Sequence, residues 1–239
     1  MNRESDALAY FSEQPFSALV LGASGGIGAA LTAALRADRN CSHLVALSRS
    51  RNGLDLADEE SVAAAALNIA PGEGFDLIFN AAGILEANGA APEKAFKDID
   101  AAAMMRAFAV NATGTALAFK YFLPLLKRNG RSAFATLSAR VGSIGDNRLG
   151  GWMSYRASKA ALNQIVRCAA IEETRRNKNS IVVALHPGTI QTPLTRKYAR
   201  GRYTASTETC ARDLLGVLAR LTPEQSGGFF DYAGEAVPW

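Results

Sequence analysis

Residues Ser17–Leu35 constrain this chain more than any other stretch. An apolar run, Ala18–Leu21, meets a glycine cluster at Gly22, Gly25, Gly26 and Gly28, and an alanine-rich segment follows with Ile27, Leu31 and Leu35 at helical spacing. That pattern predicts a strand, a tight turn and a helix N-terminus. Glycines there let the backbone turn sharply and approach a ligand closely, while the helix start offers free N–H groups and the positive end of its dipole to a pyrophosphate. Gly22, Ser24, Gly25, Gly26, Ile27 and Gly28 are therefore candidate dinucleotide contacts. The spacing is Gly-x-x-x-Gly-x-Gly and not the commoner Gly-x-Gly-x-x-Gly, and by itself it also suits a turn that only closes a β-α unit.

The rest of the chain alternates strand and helix. Met1–Pro15 reads as a lead-in in which Tyr10 and Phe11 pack at an edge. His43–Ser48 is a second buried strand, ending about 20 residues beyond Gly28, where a dinucleotide fold meets the adenosine ribose. An acid there would bond the 2′-hydroxyl of NAD. The chain carries Ser48-Arg49 instead, which suits a 2′-phosphate, so NADP(H) is the expected cofactor and NAD(H) the alternative; Arg51 competes with Arg49 for the role.

The link to Gly53–Leu56 is too short for a helix, which predicts a stubby third strand or an irregular edge, with Asp55 and Leu56 near the adenine. Asp58–Ser61 opens a helix that Pro71-Gly72 closes. Phe75–Phe79 is a strand running into Asn80-Ala81-Ala82-Gly83, small residues that border a ligand crevice at a strand's carboxyl end. Asp98–Leu126 is helical and carries Asn111 among small apolar residues, either as a brace or as a solvent relay. Ser132–Leu137, a helix from Trp152 to about Glu173, Ser180–Leu185, a helix over Glu208–Leu221 and an edge strand over Gly228–Tyr232 complete the chain. The expected architecture is one α/β domain spanning residues 1–239, a Rossmann-like doubly wound parallel sheet with helices on both faces.

Composition narrows the partners. A net charge of +4 over 239 residues, with no basic run, argues against nucleic acid as the main partner. Cys41, Cys168 and Cys210 are scattered and odd in number, which suggests neither disulfides nor zinc, and His43 and His186 do not form a metal pair. No signal peptide or membrane span is visible, so no membrane partner and a cytoplasmic setting are expected.

The chemistry concentrates at Tyr155 and Lys159, four apart on one helix and so on one face. A neighbouring ammonium favours the phenolate, which predicts a lowered pKa for Tyr155 and a role in general acid–base work. Lys159 is also placed to bond a nucleotide ribose.

Taken together, the glycine turn, Asn80-Ala81-Ala82-Gly83, Asn111, Tyr155-x-x-x-Lys159 and Pro187-Gly188 closely resemble the short-chain dehydrogenase/reductase family from about Leu19 to Tyr232. Gly142–Asn147 and Gly150-Gly151 look like its branch of C-factor-type signalling proteins and sniffer-type carbonyl reductases. The resemblance implies hydride transfer between a nicotinamide and a carbonyl or secondary alcohol, with Tyr155 as proton donor or acceptor. It also implies that Lys159 holds the ribose, that Asn111 anchors a relay water, and that Pro187, Gly188, Ile190 and Thr192 border the nicotinamide. A homodimer or homotetramer follows from the same likeness. Arg196–Arg202, charged and small residues between the nicotinamide loop and the last helix, is either a candidate substrate lid or a plain solvated loop.

One departure stands out. The family's substrate-orienting serine is the second of Ser-Ser-x-x-Gly, and here the stretch is Ser138-Ala139-Arg140-Val141-Gly142. Ser138, Ser143 or no serine fills the role. The absence of a crossover helix after Arg49 is a second departure. A different class of reading therefore stays open beside the enzyme: a nucleotide-binding signalling or scaffold protein with weak or no turnover.

Overall fold

The computed structural model describes residues 15–239 except Ala70, Pro71, Glu73, Asn88 and Arg200. The predicted lead-in with Tyr10 and Phe11, and the Pro71 helix stop, lie outside the described residues. Six strands, β1 (Phe16–Leu21), β2 (Cys41–Leu47), β3 (Leu77–Asn80), β4 (Ser132–Leu137), β5 (Ser180–His186) and β6 (Phe229–Asp231), form one sheet in the order β2-β1-β3-β4-β5-β6. Every pairing is parallel.

Strand periodicity divides the core in two. Along β1, Phe16, Ala18 and Val20 face one layer and Leu19 and Leu21 the other; β4 and β5 alternate in the same way. On the first face α1 (Gly26–Ala37) and α7 (Thr207–Arg220) lay Leu31, Leu35, Leu214 and Leu218 against the sheet. On the second face α3 (Glu59–Ile69), α5 (Gly114–Phe122) and α6 (Met153–Arg176) supply Val62, Phe119, Phe122, Leu162 and Val166. Both faces of the sheet are covered, as a parallel sheet requires. The expected doubly wound fold is the one observed.

The segment after β2 forms no strand and is the irregular edge of the two expectations, while the link read as too short for a helix holds a four-residue one. Arg49–Asn52 turns into a short helix, α2, and Gly53 ends it with φ 73°. Leu54 and Leu56 still bury their side chains, which is why the stretch reads as apolar. Its backbone finds another partner: Ser61 Oγ donates to Gly53 O at 2.9 Å and accepts from Asp55 N at 3.0 Å. With those groups satisfied from α3, β2 stays at the sheet edge.

The helical region before β4 is also broken up, into α4 (Ala101–Phe108), a π-helical turn (Ala109–Thr113) and α5, with Pro124 in a closing 3-10 turn. Because β1 leads to β2 on one side and β3 lies on its other side, the chain reverses direction at the carboxyl ends of β1 and β3. That is where open α/β sheets bind ligands.

Candidate active site

Leu21 of β1 pairs with Asn80 of β3, so the glycine turn and the Asn80–Gly83 turn meet at the switch point. Gly22 adopts φ 78°, and a Cβ on it would lie 2.7 Å from Ala82 N. A Cβ on Gly28 would lie 2.2 Å from Gly22 O, so these two glycines are fixed by close backbone packing. Helix α1 starts with Gly25 as N-cap, without a side-chain cap and without an acid in its first turn. Its first amides therefore lack intrahelical acceptors, and Gly25, Gly26 and Ile27 line the crevice.

Three cavities run in series from there. The first, of about 310 Å³, includes Gly22, Ser24, Ser48, Arg49, Asp55 and Leu56. The second, of about 250 Å³, includes Gly26, Ile27, Lys159, Pro187, Ile190 and Thr192. The two share Gly25, Ala81, Ala82 and Gly83. The second then shares Ala139, Tyr155, His186 and Gly188 with a third of about 600 Å³. Arg49 lines the first cavity and Arg51 does not. Another cavity of about 600 Å³, between α6 and the C-terminal segment, contains none of the candidate residues.

Several polar groups hold this row in shape. Asn80 Oδ1 accepts from Ala82 N at 3.1 Å and turns the chain away from β3. The π-helical turn aims Asn111 inward, where its Oδ1 accepts from Ile84 N and its Nδ2 donates to Ile84 O, both at 2.9 Å. Nδ2 also donates to Ser158 Oγ at 3.0 Å. The Asn111 side chain is thus committed to bracing the Gly83-Ile84 turn against α6. A Cβ on Gly83 would sit 3.2 Å from Asn111 Oδ1 and 3.3 Å from Lys159 Nζ, so a side chain there would crowd both groups. Thr192 Cγ2 approaches the Cβ position of Gly26 to 2.6 Å, which brings the loop after β5 down on the glycine turn.

Tyr155 is partly buried where the second and third cavities join. Lys159 Nζ lies 5.9 Å from its ring centroid and donates to Leu137 O at 2.8 Å. The titration differs from the sequence expectation: burial pushes the Tyr155 phenol above its ordinary value, and it pushes the Lys159 ammonium down to about 7. Desolvation outweighs the attraction between them, because no carboxylate stands by to hold the ammonium charged. At neutral pH the phenol keeps its proton.

That shift carries a stability prediction. The unfolded chain leaves Lys159 at its ordinary 10.5, so between pH 7 and 10.5 the unfolded state binds more protons than the folded one. The cost of burying the charge is complete below pH 7 and is relieved as pH rises toward 10.5. Lys159→Met is expected to raise stability by about 1–3 kcal/mol at pH 7 after the lost bond to Leu137 is counted. The gain shrinks toward pH 10, and urea melts at the two pH values check it; no gain at pH 7 contradicts the assignment.

The serine candidates separate clearly. Ser138 borders the second cavity, but its hydroxyl donates to Asn163 Oδ1 at 2.6 Å, so its one proton is directed away. Ser143 is buried, accepts from Asp146 N at 3.0 Å and does not line the row. Ala139 lines both cavities and brings no hydroxyl to either.

Sequence reasoning missed four contributors. Glu93 is buried and accepts from Ser154 Oγ and from Ser154 N, and its carbonyl accepts from Trp152 N, so a residue 61 positions before Ser154 caps the start of α6. Trp152 sits at that start with φ 53° and packs edge-on against both Tyr155 and Tyr198. Glu86 accepts from Tyr198 Oη and Lys197 Nζ, tying the Arg196–Arg202 stretch across the third cavity. His186, considered in the sequence only as no metal partner for His43, lines the second and third cavities, and burial holds it down to about 4. Only the apolar run and small residues around these positions were visible in the sequence.

Among the described residues no group of His, Cys, Asp and Glu is arranged to hold a metal ion, and no helix is long and apolar enough to cross a membrane.

Residues 23–225 match the family profile described as Enoyl-(Acyl carrier protein) reductase. Over 145 residues the chain is 39% identical to the C-signal protein of Myxococcus xanthus, covering 61% of this chain and 84% of that one. It is 31% identical over 188 residues to 1-hydroxy-2-glutathionyl-2-methyl-3-butene dehydrogenase of Rhodococcus sp. (strain AD45), covering 78% and 79%. The NADPH-bound carbonyl reductase from chicken fatty liver superposes with a TM-score of 0.81 at 26% identity, over 98% of each chain.

Proposed function

The chain belongs to the short-chain dehydrogenase/reductase family, in the branch that includes C-signal, and we propose that it is an NADP-dependent oxidoreductase acting on a carbonyl or secondary alcohol. The observation that carries this reading is the place of Tyr155. Its side chain stands where the cavity leading from the glycine turn opens into the larger one, one helical turn from Lys159.

When bound, the nicotinamide supplies or accepts the hydride. The chain's own residues do the rest. The uncapped start of α1 at Gly25, Gly26 and Ile27 receives the pyrophosphate, an arrangement suited to an anion by its free amides and dipole. Gly22 and Gly28 keep that turn tight. Ser48, Arg49, Asp55 and Leu56 take the adenosine end, with Ser48 Oγ buried and unpartnered beside Arg49. Lys159 has donors left over after Leu137 for the ribose, while Pro187, Gly188, Ile190 and Thr192 border the nicotinamide.

Tyr155 gives its proton to the substrate oxygen. A phenol that stays protonated at neutral pH suits the reducing direction, which is also the direction an NADPH pool favours. Asn111 acts here as the brace for the Gly83 passage, since its side chain is bonded on three sides. Arg196–Arg202 serves as the substrate lid, held by Glu86. The protein works as a homodimer or homotetramer in the cytoplasm; exposed Met105 and Ile171, on α4 and α6, are the apolar positions such pairing would cover.

Arg49→Asp is expected to shift the ratio of NADP to NAD affinity by about ten- to a hundredfold toward NAD, since a guanidinium–phosphate pair is exchanged for a repulsion. Calorimetric titration with both nucleotides measures it. An unchanged ratio removes Arg49 from the 2′-phosphate site.

A second reading is favoured by one observation. With Ala139 in the substrate-facing place and the Ser138 proton bound to Asn163, Tyr155 alone polarises the carbonyl. A missing oxyanion donor costs about a hundredfold or more in rate. The chain would then bind nucleotide in a signalling role and turn over weakly. NADPH supplied with a panel of aldehydes, ketones and quinones separates the two: oxidation of the nicotinamide supports the enzyme, and tight nucleotide binding without turnover on any member supports the second.

A further inference from the structure

The third cavity has a charge distribution that the reaction itself does not require. Its inner wall is apolar, with Leu85, Val141, Trp152 and Leu194 around Tyr155, and exposed Leu149 stands at its rim. Four guanidinium groups line it against a single carboxylate, Asp146. Of the four, Arg140 is neutralised, at 3.1 Å from Asp231 and 3.7 Å from Asp146. The other three, Arg148, Arg156 and Arg202, have no carboxylate within ion-pair distance among the described residues. Arg156 donates only to the carbonyls of Val141, Gly150 and Gly151, so its charge is positioned and uncompensated. Arg148 and Arg202 come from two different loops and converge on the same opening.

Like charges brought together without counter-ions repel, and a chain with a net charge of only +4 has acids enough to pair them. Three unpaired guanidiniums at the mouth of an apolar cavity are an arrangement that an anion completes, because the low-dielectric wall strengthens their field. We propose that the substrate is an organic anion: its apolar body fills the cavity, and a carboxylate or phosphate remote from the reacting carbon is held by Arg148, Arg156 and Arg202. This rests on the oxidoreductase reading for the reaction, but the anion site itself does not depend on turnover.

The test uses the full chain saturated with NADP, titrated calorimetrically with 4-carboxybenzaldehyde, 4-formylphenyl phosphate and the neutral methyl 4-formylbenzoate. Turnover of the same three compounds with NADPH is followed in parallel. At least one anion is expected to bind about tenfold or more tightly than the ester, and whichever anion binds better identifies the head group. In Arg148→Ala/Arg202→Ala that preference falls to within about twofold, and Arg148→Lys/Arg202→Lys restores part of it. Thermal melts of both double variants confirm that they fold. Equal binding of ester and anions, or a preference unchanged in the alanine pair, overturns the proposal. Preferential binding of an anion without turnover of any compound leaves the anion site standing and removes the oxidoreductase reading. Turnover of all three with equal affinity does the reverse.

Discussion

Tyr155→Phe is expected to lower kcat/KM for carbonyl reduction by about 10²–10⁴-fold, the range a positioned proton donor contributes. The variant keeps the ring that packs against Trp152 and loses only the hydroxyl, so the fold and the affinity for NADPH should stay as they are. The loss should be especially complete here because neither serine candidate takes over: the Ser138 proton is bound to Asn163 and Ser143 lies off the cavity row. Steady-state rates and NADPH titrations on the same preparation check both halves. A variant within about tenfold of the parent shows that the proton comes from elsewhere.

Gly28→Ala is expected to weaken both the fold and the nucleotide site. A Cβ there would stand 2.2 Å from Gly22 O, 2.9 Å from Gly22 C and 3.2 Å from Ala23 Cα, all of them backbone that cannot rotate away. The turn has to move off α1, at a cost of about 2–4 kcal/mol in stability. NADP affinity should fall by about tenfold or more with it. Gly25→Ala is the companion measurement. Its Cβ would meet only Gly22 O at 3.4 Å, an ordinary contact, yet it projects where two of the cavities join. That variant should melt within about 0.5 kcal/mol of the parent while binding NADP more weakly. If both variants bind NADP like the parent, the glycine turn is a folding device only.

The sequence carried what depends on local pattern. Short apolar runs marked the six strands to within two residues at each end, the last as Gly228–Tyr232 where Phe229–Asp231 pairs. Glycine spacing marked the switch point because Gly28 is demanded by the backbone of Gly22 six residues before it, although Gly22 itself is demanded by Ala82, far along the chain. What was illegible depends on partners distant in the chain. Leu54 and Leu56 read as a strand because they are buried, and only the bond from Ser61 reveals that their backbone is satisfied otherwise. Glu93 capping α6 and Glu86 tying Tyr198 span 61 and 112 residues, and no spacing rule announces either. The Tyr155–Lys159 pair was read correctly as sharing a face, but its electrostatics depend on how deeply both are buried, which periodicity does not give. Ser138 beside Ala139 left the hydroxyl question open until the direction of its hydrogen bond was known.

The central claim is that a nucleotide lies along the carboxyl ends of β1 and β3 with its reactive ring beside Tyr155. A crystal structure of the chain with NADP tests it most directly. The account predicts the pyrophosphate against the amides of Gly25–Ile27, the 2′-phosphate beside Arg49, and the nicotinamide in the cavity bounded by Lys159, Pro187 and Thr192 with the Tyr155 hydroxyl facing it. NADP bound anywhere else, or seated there with Tyr155 turned toward the protein interior, contradicts it.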